Sequence, residues 1–196
     1  MGHSKADKAA SRDRVLEIAA RKVREEGVTR PGIADLMKEA GLTHGGFYKH
    51  FASRDELIAQ ATELALTEGT AKMEETARES EEAPRAGVVD AYLAERHRDS
   101  PGTGCALVTL GAAAGRGDQH FKEAYERQVR TYLDLLAGLD GDSEDARAEA
   151  MVALSAMVGA TLMARAVADG DFSDELLKTV ADRLNRRVPG TSVSTD

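Results

Sequence analysis

Tryptophan is absent from this chain of 196 residues, and its rings are four tyrosines, four phenylalanines and five histidines. A core so poor in large aromatics must be filled by aliphatic and small side chains packed at close range. Proline occurs four times, at positions 31, 84, 101 and 189, so long stretches contain nothing that breaks a helix. The single cysteine, Cys105, excludes an internal disulfide and fits a reducing cytoplasm. Residues 1–14 are polar and mixed in charge, without the apolar run of a signal peptide. No phosphate loop, nucleophile elbow or pair of carboxylates at catalytic spacing occurs, so nothing points to an enzyme. His97, Cys105, Asp118 and His120 do not share ligand spacing on one helix, and neither metal nor cofactor is expected.

Alanine, leucine, glutamate and arginine dominate what is present, which favours an all-α protein. The net charge of −8 argues at first against a nucleic-acid partner. Its distribution weakens the objection. Residues 1–60 hold 11 Lys and Arg against 9 Asp and Glu, while residues 61–196 hold 15 against 25. Phosphate binding needs cations on the docking face alone.

Periodicity gives the elements. The opening residues, with Lys5 and Lys8, read as a mobile arm. Val15, Leu16, Ala19, Ala20 and Val23 form one apolar stripe over about residues 11–26, which Gly27 ends. Pro31 and Gly32 open a second helix, whose apolar face is Ile33, Leu36, Met37 and Ala40. Gly41 suits the left-handed conformation of a tight turn, and Leu42 packs beneath it. Thr43 is an N-cap for a third helix, in which Phe47 and Phe51 face the core. Gly45 and Gly46 each cost about 1 kcal/mol relative to alanine in a helix. They fit close packing inside the protein or close approach to DNA. Ser53 and Glu56 make a capping box for a long helix carrying Leu57, Ile58, Ala61, Leu64 and Ala65.

Further helices are predicted over residues 85–98, 103–115 and about 121–136, the last ended by Gly138 to Gly141. The span 151–168 is long enough for a membrane, yet lacks flanking anchors and reads as a buried and partner-facing helix. Residues 172–187 give a last helix, and 189–196 a flexible tail. Two short helices joined by a glycine-containing turn make a helix-turn-helix. The division expected is a DNA-binding head at 1–60 and a helical bundle at 61–188, about nine helices in all.

The run from Leu36 to Phe51, followed by Ser53-Arg54-Asp55-Glu56-Leu57, resembles the TetR/AcrR family of bacterial transcription regulators. The likeness covers roughly residues 15–60 in order and spacing across three helices. It departs at Pro31 and Gly32, where the family commonly has Thr or Ser, and at Lys22 and Val23 in the first helix. The resemblance implies that Thr43, His44, Gly45, Gly46, Tyr48, Lys49, His50 and Arg54 face double-stranded DNA. Their chemistry is suitable: hydroxyls and amides for phosphate, His44 and Lys49 as donors to bases or phosphates. His50 equally fits a partly buried packing role.

It also implies a cytoplasmic homodimer, paired through residues 143–187, that grips a near-palindromic operator and releases it on binding a small-molecule or electrophile effector. Tyr92, Cys105, Phe121, Tyr125, Met157 and Thr161 are candidates to line the effector pocket, and equally suit a core. Cys105, near a helix start, reads either as a reactive sensor thiol or as a small buried residue. The rival to a repressor is a helical small-molecule or partner-binding protein that does not bind DNA.

Overall fold

Among the described residues, Gly27 and Gly41 are the positions where the backbone takes positive φ, +81° and +71°, and each ends a helix of the N-terminal region. The structure is a computed structural model that describes residues 5–139 and 145–186. Helix α1 (Lys5–Glu26) starts earlier than its apolar stripe. Ala6, Ala9 and Ala10 are strong helix formers, so the described part of the expected mobile arm is helical. Val15, Ala19, Ala20 and Val23 are buried as the stripe requires, while Leu16 is half-buried. In α2 (Ile33–Glu39) the N-cap is Gly32. Pro31 therefore precedes the helix, buried, and sets the approach to it rather than its first turn.

A 3-10 segment (His44–Lys49) follows, then the long helix α3 (Arg54–Glu79), which runs unbroken through residue 60. The single helix expected over 85–98 is two, α4 (Pro84–Tyr92) and α5 (Glu95–Asp99). His97 causes the break locally: its Nδ1 donates to the carbonyl of Tyr92 at 2.6 Å, and the two rings meet at 4.5 Å. A side chain holding that carbonyl replaces the backbone donor that would continue the helix. A 3-10 turn (Pro101–Thr103) leads to α6 (Ala106–Arg116) and α7 (Gln119–Leu139). Then come α8 (Ala146–Ala166) and α9 (Gly170–Asn185), and no strand occurs among the described residues. The turn at 140–144 and the tail expected at 189–196 lie outside the described residues.

The chain divides into two compact units, Met1–Lys72 with Asp99–Tyr132, and Met73–Arg98 with Leu133–Asp196. In the first, Phe47, Phe51, Leu36, Met37 and Leu57 are buried with the α1 stripe, each contributing about 1.5–3 kcal/mol of apolar burial. Arg24, also buried, donates to the carbonyl of Gly102 and to Glu68, both at 2.6 Å. Thr109 Oγ1 donates to the carbonyl of Arg24 at 2.8 Å, so α1 is tied to the 101–103 turn and to α6.

In the second unit α8 packs along α9, and α9 along α4. Ala150, Ala153, Leu154, Met157, Ala160 and Ala164 of α8 are buried. Asp169 caps α9 by accepting from Phe172 N at 3.1 Å, and Ser173 Oγ donates to the carbonyl of Ala164 at 2.8 Å. Arg165 donates to the carbonyls of His97 and Arg98 at 2.7 and 2.9 Å, satisfying groups at the end of α5 that a helix leaves open.

Candidate nucleic-acid interface

The turn between α2 and the 3-10 segment is fixed by paired hydrogen bonds. Leu42 N donates to Met37 O at 2.8 Å and Gly41 N to Lys38 O at 3.0 Å, the Schellman pattern that needs a left-handed residue at Gly41. Arg14 Nη1 adds a bond to the carbonyl of Ala40 at 3.3 Å. Thr43 then turns extended, φ −79° and ψ 146°, at the N-cap position. Contrary to expectation its hydroxyl makes no capping bond. The segment it introduces is 3-10 rather than α. Two glycines weaken the helical preference, and a short tight turn is what such a sequence sustains.

Phe47 and Phe51 anchor the segment from beneath, both buried, their rings stacked at 5.7 Å. The other side is open. Thr43, His44, Gly45 and Lys49 are exposed, and Tyr48 is 71% exposed with its ring edge-on to Phe47 at 5.2 Å. A Cβ at Gly45 would meet nothing within 4 Å. At Gly46 it would make ordinary contacts, 3.5 Å to Thr43 Oγ1 and 3.7 Å to Met37 Cε. Neither glycine is therefore required by packing within the protein.

His50 lies half-buried at the edge of the strip. Burial pushes its pKa down, and the positive charges of Lys8, Lys49 and Arg12 push it the same way. Its Nδ1 is buried with no hydrogen-bond partner among the described residues. Lys8 reaches this neighbourhood because α1 begins at residue 5, which the arm reading missed. Arg12 lies over the Phe51 ring at 4.9 Å and donates to Gln60 at 2.5 Å.

Arg54, at the start of α3, is engaged with the backbone. Its guanidinium donates to the carbonyls of Val28, Thr29 and Pro31 at 3.0–3.2 Å. It binds the α1–α2 connection to the start of α3. Behind it the capping box forms: Glu56 N donates to Ser53 Oγ at 3.0 Å, and Glu56 Oε2 accepts from Ala52 N at 2.6 Å. The return bond falls one residue before Ser53.

The six candidate pocket residues are divided between the two units. Tyr92, Met157 and Thr161 are buried in the second unit, and Cys105, Phe121 and Tyr125 belong to the first. Cys105 is the N-cap of α6, buried, with its thiol hydrogen-bonded to the Tyr132 hydroxyl. Burial, first of all, raises the pKa of both Tyr132 and Tyr125. Tyr125 donates to the carbonyl of Leu107 at 3.2 Å. This setting supports the packing role for Cys105. Among the described residues no group of three His, Cys, Asp or Glu is placed to hold a metal.

Buried phenylalanines below, a Schellman turn before and a capping box behind define a helix-turn-helix head joined to further helices. Residues 15–61 match the family of bacterial regulatory proteins described as tetR family. The chain is 34% identical over 55 residues to an uncharacterized HTH-type transcriptional regulator, YvdT, of Bacillus subtilis (strain 168), covering 28% of each chain. It is 29% identical over 62 residues to the HTH-type transcriptional regulator AcrR of Shigella flexneri, covering 32% of this chain and 29% of that one. The matched part is thus under a third of either relative's length. The fold is similar over 94% of this chain and 96% of a TetR-family regulator from Cytophaga hutchinsonii, with TM-score 0.74 at 17% identity. Residues 15–61 are thus a segment of the tetR-family type, and the chain as a whole shares the fold of TetR-family transcriptional regulators.

Proposed function

We propose that this protein is a ligand-responsive, sequence-specific regulator, a cytoplasmic repressor that binds a near-palindromic operator as a homodimer. The observation that carries this reading is the open strip from Thr43 to Lys49. It presents hydroxyls, an imidazole and a cation around two glycines for which the protein itself has no packing need. Absent side chains at Gly45 and Gly46 let a phosphate backbone or base edge come close to the main chain. Thr43, His44, Tyr48 and Lys49 are the contacts, with Lys8 beside them and His50 and Arg54 supporting.

Pairing is supported by α8. Met151, Val152, Leu162 and Met163 are exposed, Val152 by 65% and Leu162 by 52%, and Phe172 on α9 is exposed too. Ser155, Gly159 and Ala166 continue the α8 stripe at helical spacing. This helix is long and apolar enough to cross a membrane. Its other side, however, is packed inside the unit, so one stripe remains rather than an apolar cylinder. A second copy covers such a stripe symmetrically. The effector then acts by favouring a state of the dimer unfit for the operator.

Sequencing genomic fragments retained by the full-length protein tests the reading, and a near-palindrome is the expected return. The Tyr48→Phe, Lys49→Ala double variant should bind that site about tenfold more weakly, with a salt slope lower by about one. A selection that returns only random fragments, or a slope that does not move, overturns the assignment of these residues.

A further inference from the structure

Basic side chains from two separate elements meet where the open strip ends. Lys8 and Arg12 stand one turn apart on α1, a spacing at which like charges repel. Lys49 and His50 close the 3-10 segment. The positive charges of Lys8, Lys49 and Arg12 all act on the His50 imidazole, and none of the charges acting on it is negative. Asp7 and Asp13 of α1 are absent from those charges. Glu56 of α3 is taken up elsewhere, its Oε1 accepting from Gln60 Nε2 at 2.9 Å and its Oε2 from Ala52 N at 2.6 Å.

The fold accounts for only part of this grouping. Arg12 packs over the Phe51 ring and donates to Gln60. Lys8 and Lys49 are exposed, and neither has an ion pair or hydrogen bond among the described residues. His50 adds a second signal: its Nδ1 is enclosed without a partner among the described residues, where a polar atom ordinarily has one. Nε2 is then the ring nitrogen left to meet a ligand. Ammonium and guanidinium groups can only donate. What this corner lacks is an acceptor carrying negative charge.

We infer that Lys8, Arg12, Lys49 and His50 form one site for a phosphodiester of the DNA backbone, and that His50 takes up a proton as the phosphate docks. Resting on the DNA-binding reading, this site extends the contact surface from the strip onto α1 and makes it sensitive to pH. In the free protein, burial and three neighbouring cations favour the neutral ring. A phosphate oxygen against Nε2 favours the imidazolium instead, through opposite charge and a charge-assisted hydrogen bond. The complex then holds more protons than its separated parts, so operator affinity rises as pH falls. The rise starts where the bound imidazole titrates and stops below the pKa of the free one. In a homodimer it acts at both half-sites.

Calorimetric titration of the full chain with its selected operator, in two buffers of different ionisation heat, counts the protons taken up. At about pH 6.5 wild type should take up at least about 0.3 proton per chain more than His50→Gln. Between about pH 7.5 and 6 its affinity should rise about threefold per half-site relative to that variant. Lys8→Gln, at an exposed helical position, should weaken the operator about threefold and lower the salt slope by about one per chain. Circular dichroism checks that both variants keep their helicity. Operator binding by wild type without proton uptake overturns the inference, whatever the variants do, and leaves the DNA-binding reading standing. Equal uptake by wild type and His50→Gln, or a salt slope that Lys8→Gln does not change, has the same consequence. A wild-type protein that retains no operator at any pH overturns both.

Discussion

The strip from Thr43 to Lys49 and the open stripe of α8 are both uncovered, yet they are built in opposite ways. The strip ends in hydroxyls, an imidazole and an ammonium, on a 3-10 segment held from below by Phe47 and Phe51. The stripe is methionine, valine and leucine on a regular helix of 21 residues. A polar strip is well solvated while it waits, and phosphate binding rewards it through release of counterions. Apolar area left in water loses about 25 cal/mol per Å² relative to burial. The first surface therefore fits a partner that comes and goes, the second one that stays.

Two buried charges break the second surface most severely. Val152→Glu with Leu162→Glu places four carboxylates across a symmetric contact, and each uncompensated buried charge costs several kcal/mol. The dimer constant should fall by at least about a thousandfold, since 1.4 kcal/mol is a factor of ten. Helicity should persist, because both side chains already face solvent within the chain. Sedimentation equilibrium checks it, and a variant that still sediments as a dimer shows that copies pair elsewhere.

Much of the head was legible because its signals are local. Phe47 and Phe51 four apart, Gly41 after an amphipathic run, and Ser53 three before Glu56 each fix geometry within a turn or two. What escaped depends on residues distant in sequence. Arg54 reads as a free cation until Val28, Thr29 and Pro31 are folded against it. Thr62 and Phe121 share a cleft across 59 positions, which no spacing rule connects. The break at Leu93 was hidden for another reason: Tyr92 and His97 fit a continuous helix until the imidazole takes a backbone carbonyl. Lys8 was missed because α1 has no apolar stripe before Val15, so only alanine's propensity marks its first turns.

A methyl group sharpens the first surface. Gly45 has no left-handed backbone and no neighbour in the way, so Gly45→Ala should stabilise the head by about 0.5–1 kcal/mol. The same methyl occupies the space reserved for close approach, so operator affinity should fall about tenfold. Urea unfolding and fluorescence anisotropy measured together separate the two effects. A variant that is more stable and binds equally well removes the close-approach role of this glycine; one that is less stable shows a packing role instead.

The smallest effect is expected from proton binding at the edge of the strip. Burial, then Lys8, Lys49 and Arg12, hold the His50 pKa below its ordinary value, which in the unfolded chain is about 6.5. As pH falls through that value the unfolded chain takes up a proton that folded His50 still refuses. The contribution of His50 to stability is therefore full above about pH 6.5 and declines below it, until the lower folded pKa is passed. The difference between wild type and His50→Gln isolates this residue. Urea unfolding from about pH 7.5 to 5 should show wild type losing more stability than the variant. Parallel curves would mean that His50 is as freely protonated in the folded head as in the open chain. Neither burial nor the neighbouring cations would then act on the imidazole, and Lys8 would lose its place beside the strip.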